Sequence, residues 1–288
     1  MKADLVTGVR PAAAPPPRST AARVITAIVA VLLIAGTVTL YLVIAHAHPV
    51  TDPDDLAGIL SSYAGMGLLV CLIFAILSGP IIRGLVRLVR ALPFAGTAGF
   101  LASREASARP RLTQALVVPI TLAAAAVGIM AAWINELTTV MAAQAGSEEK
   151  VNAPPRQMAL LLGGPVIVAC VCASAIVFAT ASHRRADNAL LLVSGVTPGV
   201  IRAKALVEAG IHAVICLICA YGIVVVNDVS MAKALSTGPV PSVPILAPGW
   251  QAAGVVAVGI ALTLLLLLAV TADGMHRNPV TTITGGHQ

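Results

Sequence analysis

Aromatic residues make up 3% of this 288-residue sequence and charged residues 10%. Soluble chains of this length carry roughly a quarter charged residues, so the scarcity of charge excludes an ordinary water-soluble domain. Hydrophobic residues reach 58% and the mean hydropathy is +0.94. With so few rings, the apolar content is aliphatic and small: Ala, Val, Leu, Ile and Gly. No Gly-x-x-x-x-Gly-Lys-Ser/Thr loop occurs, which excludes nucleotide binding by that route. The five cysteines (Cys71, Cys170, Cys172, Cys216 and Cys219) all fall in apolar runs. A zinc site needs four ligands with polar support around them, so they read as small buried hydrophobes. Neither a metal nor a cofactor is expected.

What is present is a series of apolar runs, each long enough to cross about 30 Å of hydrocarbon. The expected class is an all-α integral membrane protein with six transmembrane helices. Residues 1–22, with Pro11, Pro15, Pro16 and Pro17, cannot pack a core and read as a disordered cytosolic tail. Residues 23–78 hold the first two spans, Val24 to Ala45 and Leu56 to Ser78. The loop between them carries His46, His48, Asp52, Asp54 and Asp55, a solvated acidic loop with a divalent-ion site as the alternative. Gly79-Pro80 is expected to end the second span.

Residues 79–113 form a basic cytosolic segment. Arg83, Arg87 and Arg90 recur at helical intervals between Ile82, Leu85, Val86, Leu88 and Val89. Two readings are open, an amphipathic helix on an anionic membrane face and a plain continuation of the second span. Residues 114–272 contain spans three to six: Gln114 to Asn135, Met158 to Ser182, a fifth ending near Asn227, and Gly249 to Ala272. Ala124, Gly128 and Ala132 form a small-residue stripe of the kind that lets helices approach. The outer loops are expected at 136–157 and 228–248, and residues 273–288 form a second cytosolic tail.

The positive charges test this topology. Of the 18 Lys and Arg, only Lys150, Arg156 and Lys233 fall in the expected outer loops. The other fifteen fall on the opposite side, a strong positive-inside asymmetry. Both termini are then cytosolic. The net charge of +6 is accounted for by this sidedness and by contact with membrane lipid; no nucleic-acid partner is expected.

In the second half of the chain, the only long polar-headed stretch between two spans is 183–209. Arg184, Arg185 and Asp187 open it, and an apolar run from Ala189 to Val193 follows. Gly195 sits where a helix ends in a left-handed turn, and Thr197-Pro198 starts another. The reading is a short helix held at the membrane face, then a tight turn into the fifth span. Glu208 and His212 lie four apart inside that span, on one helix face, as a possible intramembrane polar pair. Proton or substrate handling is one role open to them. Interfacial snorkelling of Glu208 and a simple interhelical bond of His212 are the others.

The stretch resembles the signature of FtsX/MacB-like ABC transporter permeases: an Arg-rich start, an acidic residue, an Ala-Leu-Leu core, Gly-Ala-Thr/Ser, then a basic helix ending Glu-Ala. The matching residues are Arg184-Arg185, Asp187, Ala189-Leu190-Leu191, Gly195-Val196-Thr197 and Glu208-Ala209. The acidic position is usually Glu, and an Arg often stands where this sequence has Leu192. The elbow Arg109-Pro110-Arg111 with Thr113 and the ending Arg277-Asn278-Pro279-Val280 are similar to family elements as well. MacB-like members carry a large extracytoplasmic domain between the first two helices of the unit. The short 136–157 loop has no room for one.

The resemblance implies a four-helix permease unit, spans three to six, preceded by a helical pair. It implies a non-enzymatic subunit of an ABC complex in a bacterial cell membrane. The partners would be two copies of a separate ATPase subunit and either a second copy of this permease or a different one. ATP-driven closure of the ATPases would push on the helix at 184–194. Arg184, Arg185 and Asp187 would make polar contacts with the ATPase groove, Leu190, Leu191 and Val193 would fill it, and Gly195 would set the turn. Export and mechanical transmission both fit. Two other readings stand beside it: a non-transporting regulator of an extracytoplasmic enzyme or sensor, and an ion-gradient-driven transporter.

Overall fold

The computed structural model describes residues 20–45, 53–91, 96–144, 155–235 and 250–276. Among these residues the chain forms seven helices: α1 (Thr20–Ala45), α2 (Pro53–Ala91), α3 (Thr97–Ala108), α4 (Pro110–Gln144), α5 (Pro155–Val193), α6 (Pro198–Leu235) and α7 (Trp250–His276). Five segments are long and apolar enough to cross a membrane: Val24–Leu42, Gly65–Val89, Pro110–Ile134, Pro198–Val229 and Ala253–Ala272. Within α5, Val166–Ala181 and Arg184–Val193 pass that test together but are bent by 48°. The protein is all-α and of multi-pass membrane character. Hydrocarbon offers backbone N–H and C=O groups no partner, so runs this apolar satisfy them within helices.

The same rule corrects one expectation. Gly79-Pro80 does not end the second span, because α2 runs through Pro80 to Ala91. Pro80 removes one backbone donor, whereas unwinding there would strand several groups in an apolar setting. The short helix expected at 184–194 is continuous with α5 and forms its bent end, Arg184–Val193 turning 48° from Val166–Ala181. Helix extends into the segments expected as outer loops, since α4 continues to Gln144, α5 starts at Pro155 and α6 continues to Leu235, while the apolar spans of α4 and α6 end at Ile134 and Val229. Residues 1–19, most of the 46–55 loop and residues 277–288 lie outside the described residues.

The bundle is built around α4, which packs against α2, α5, α6 and α7. Its Leu116, Val117, Ile120, Ala124 and Ala125 are buried in one cluster with Ile211, Ile215 and Ala220 of α6 and Leu267 and Val270 of α7. In the expected stripe, Ala124 and Gly128 are buried and Ala132 is half-buried. Two glycines lie at tight helix contacts. A Cβ on Gly259 would lie 3.1 Å from Ile120, and one on Gly67 would lie 2.9 Å from Ile129. Glycine therefore sets the α4–α7 and α2–α4 spacings, as small residues do where helices pack in lipid. α1 is peripheral: Val24, Ile25, Ile28, Val31, Leu32, Val38 and Leu42 are exposed, the pattern of a lipid-facing helix.

Of the two readings of the basic segment, the structure shows the continuation of the second span as far as Ala91. Ile82, Val86 and Val89 are buried in the bundle core, so the apolar face that could have lain on a membrane is packed on protein. Its continuation is α3, a helix that the residue spacing does not indicate. Gly96 (φ 94°) turns the chain into it, and the N–H of Arg109 closes it on the carbonyl of Glu105. Gly99, Ala102, Ser103 and Ala106 are its buried residues. That i, i+3, i+4, i+7 stripe of small side chains lets α3 lie close against α6.

Candidate functional site

The α5–α6 turn is made by local chemistry. Ser194 ends α5 and Gly195 follows with φ 89°. The N–H of Val196 bonds the Leu191 carbonyl and that of Gly195 bonds the Leu192 carbonyl, both at 3.0 Å. These two bonds are the Schellman arrangement, which needs a left-handed residue at the position Gly195 holds. The carbonyl of Thr197 then accepts from Val200 (3.0 Å) and Ile201 (3.3 Å), with Pro198 at the first helical position. Four residues thus reverse the chain between two long helices.

Behind the turn lies a cluster of charges. The Arg184 guanidinium on α5 donates from Nη1 to Glu208 Oε2 at 3.0 Å and from Nη2 to Oε1 at 2.8 Å, with Glu208 on α6. Both side chains are buried, 10% and 6% exposed. Lys204, one turn before Glu208, pairs with Glu105 of α3. Arg109, between α3 and α4, pairs with Asp187 of α5 at 2.8 Å on the more exposed rim. Asn188 and Thr271 of α7 line the same small cavity as Glu105, Arg184, Lys204 and Glu208.

Two cations and two anions share this interior in two ion pairs, so the cluster carries no net charge. Its chemistry is that of a brace. A bidentate Arg–carboxylate contact fixes orientation as well as distance, and here it ties α5 to α6 while Lys204–Glu105 ties α6 to α3. One turn beyond Glu208, His212 is 1% exposed and neither ring nitrogen has a hydrogen-bond partner. Glu208 and His212 therefore share a buried face of α6. Glu208 does not reach toward the interface; it turns to Arg184.

The residues expected to meet a partner divide into two groups. Arg184 points into the bundle, Asp187 is engaged by Arg109, and Arg185 and Leu191 are half-buried. Leu190 (57%), Val193 (68%) and Gly195 are exposed, as are Ser194, Thr197, Pro198 and Gly199. The result is an apolar tip on a braced helical hairpin. Sequence reasoning missed Glu105 and Lys204 as a pair. The available signal was that Glu105 is the single acidic residue between Arg83 and Arg111, a lone carboxylate in a basic segment.

Cys216 and Cys219 are buried, and Cys71, Cys170 and Cys172 are half-buried; all five are free thiols. Among the described residues no group of three His, Cys, Asp or Glu could hold a metal ion. The side chains of Asp54 and Asp55, like His46, His48 and Asp52, lie outside the described residues. No family model, curated protein or solved structure matches the chain.

Proposed function

We propose that this chain is the transmembrane subunit of an ABC transporter complex of FtsX/MacB-like type, non-enzymatic itself and driven by a separate ATPase subunit present in two copies. The permease partner is a second copy of the chain or a different permease. Export and mechanical transmission are both served by such a coupling subunit. The observation that carries the reading is the exposed apolar tip, Leu190 and Val193, on a hairpin whose root is fixed by the buried Arg184–Glu208 contact. A lever needs an accessible end and a stiff root. Leu190, Val193 and Gly195 are assigned to the docked end, with Leu191 beneath them. Arg184 and Asp187 act through the brace that passes movement to α6, α3 and α4, and Arg185 flanks it.

Six spans are part of this proposal, with α4, α5, α6 and α7 as the permease unit and α1 and α2 as the preceding pair. Two contacts support counting the bent α5 as a crossing. Arg109–Asp187 and Lys204–Glu105 put the α5–α6 turn at the end of the bundle where α4 begins. α4 leads away from that end, so α5 has to return along the bundle. The basic end is then the cytosolic face of a bacterial cell membrane.

The test is co-purification in mild detergent. The tagged chain and a Leu190→Asp/Val193→Asp variant, expressed in the native host to equal membrane levels, are analysed by mass spectrometry. The proposal expects an ATPase with the parent and its loss with the variant. An ATPase retained equally by both moves the docking surface away from the tip, and no ATPase with either removes the coupling reading. A second reading, a gradient-driven transporter, draws on His212 and Asp228 of α6, buried titratable side chains whose polar atoms have no hydrogen-bond partner among the described residues. It expects uptake or efflux that follows an imposed proton gradient without ATP.

A further inference from the structure

The last turns of α2 present two opposite faces. Ile82, Val86 and Val89 are buried in the bundle. On the other side Arg83 and Arg87 are exposed, and beside them Ile81 and Leu88, the latter 62% exposed. A leucine so open, at the end of an apolar span and between arginines, fits neither a packed interior nor a surface facing only water. It fits the boundary where acyl chains meet headgroups, with arginine stems covering apolar surface and their charges reaching the polar layer.

The surroundings of Arg83 sharpen this. Its Nε donates to the Gly79 carbonyl at 2.9 Å, one turn back along α2. That bond holds the guanidinium alongside Gly79, where the missing side chain leaves room: Nη2 would stand 3.8 Å from a Cβ there. The Gln114 amide of α4 borders the same spot, and its Nε2 donates to Ser78 Oγ at 2.8 Å. α2 and α4 run antiparallel with Ser78 opposite Gln114. Arg111, exposed one turn before Gln114, is therefore placed at the same end of the α2–α4 pair as Arg83 and Arg87. No Asp or Glu occurs in α2 from Gly65 onward or in α4 up to Ile134. The nearest acidic residue along the chain, Glu105, is taken by Lys204.

We propose that the exposed α2–α4 surface at the basic end of the bundle is a binding site for an anionic phospholipid of the adjoining leaflet. Arg83, held by Gly79, and Arg87 and Arg111 take the headgroup phosphate, and Ile81 and Leu88 lie along the first acyl methylenes. Guanidinium groups suit phosphate oxygens because their N–H donors match them pairwise. A zwitterionic headgroup brings its own cation into the same cluster, so the site selects net negative charge. The inference rests on α2 and α4 alone and is independent of any ATPase.

The test uses the full chain purified in mild detergent, with co-purifying phospholipid quantified by headgroup class. In the parent, anionic phospholipid is expected above its share of the source membrane. In Arg83→Gln/Arg87→Gln that enrichment is expected to be lost, since removing two juxtamembrane arginines weakens affinity for an anionic headgroup about thirtyfold. Arg87→Gln and Arg202→Gln each remove one exposed positive charge, from α2 and α6 respectively, and only the first is expected to lower the enrichment. Equal losses from both would show general surface charge rather than a site and would overturn the proposal. Parent protein without enrichment overturns it as well. Because a variant can fail to fold, a second measurement uses the parent alone: phosphatidylglycerol added to delipidated protein is expected to raise Tm more than phosphatidylcholine. Equal shifts count against the site.

Discussion

Arg184 of α5 and Glu208 of α6 meet through two parallel hydrogen bonds, 3.0 and 2.8 Å long, at a point where both side chains are buried. They stand 24 residues apart in sequence and join two helices at the root of the turn that reverses the chain. Taking two charges out of water is costly, and a buried pair recovers that cost only with geometry of this quality. Removing one partner leaves the other charged and alone. Glu208→Ala is expected to destabilise the protein by about 3–5 kcal/mol, read as a lowered Tm in detergent. The double change Arg184→Met/Glu208→Leu is expected to recover most of that loss, because no orphaned charge remains. A double variant no more stable than Glu208→Ala would show that the pair is not the cause.

Gly195 carries φ 89° at the end of α5. A side chain there pushes Cβ against the following carbonyl at a cost of about 1–2 kcal/mol, so Gly195→Ala is expected to lower Tm by a few degrees. Gly195→Val is expected to cost more, since a β-branched residue tolerates the left-handed region least. Gly222 is the control: it lies within α6, and a Cβ there would meet nothing within 4 Å. Gly222→Ala is expected to be neutral or slightly stabilising.

Gly259 of α7 faces Ile120 of α4 at a distance that leaves little room for a methyl group. Gly259→Val is expected to wedge the two helices apart and cost about 1–3 kcal/mol. Shortening the opposing side chain with Ile120→Ala in the same protein is expected to return part of the loss. The sign of the coupling in that double-mutant cycle checks the contact directly. Strict additivity would mean that the two residues do not oppose one another.

The all-α membrane character was legible because hydropathy and charge poverty act on the whole chain at once. The Gly195 turn was legible because a left-handed helix end demands glycine, and Thr197-Pro198 marks the next start. Pro80 misled, since proline ends helices in water more readily than in an apolar bundle that stabilises the flanking turns. α3 was hidden because its buried face is Gly99, Ala102, Ser103 and Ala106, small residues that leave no apolar period to detect. The partners of Arg184, Glu105 and Asp187 were not legible. Each partner comes from a distant part of the chain, and sequence spacing shows neighbours on one helix only.

Sidedness provides a further test. With the five native cysteines replaced, Ser194→Cys should react with a membrane-impermeant maleimide in inside-out vesicles and remain unlabelled in intact cells. The opposite pattern would place the α5–α6 turn outside and reverse the orientation taken from the basic residues.

The most direct test of the central claim is site-specific photo-crosslinking in intact cells, with a photoreactive amino acid at Leu190 or at Val193 and an equivalent probe at lipid-facing Leu32. The expected result is that the two tip positions each capture a polypeptide carrying nucleotide-binding ATPase motifs, and that Leu32 does not. Capture of lipid alone at both tip positions, or of an extracytoplasmic protein, would contradict the coupling role.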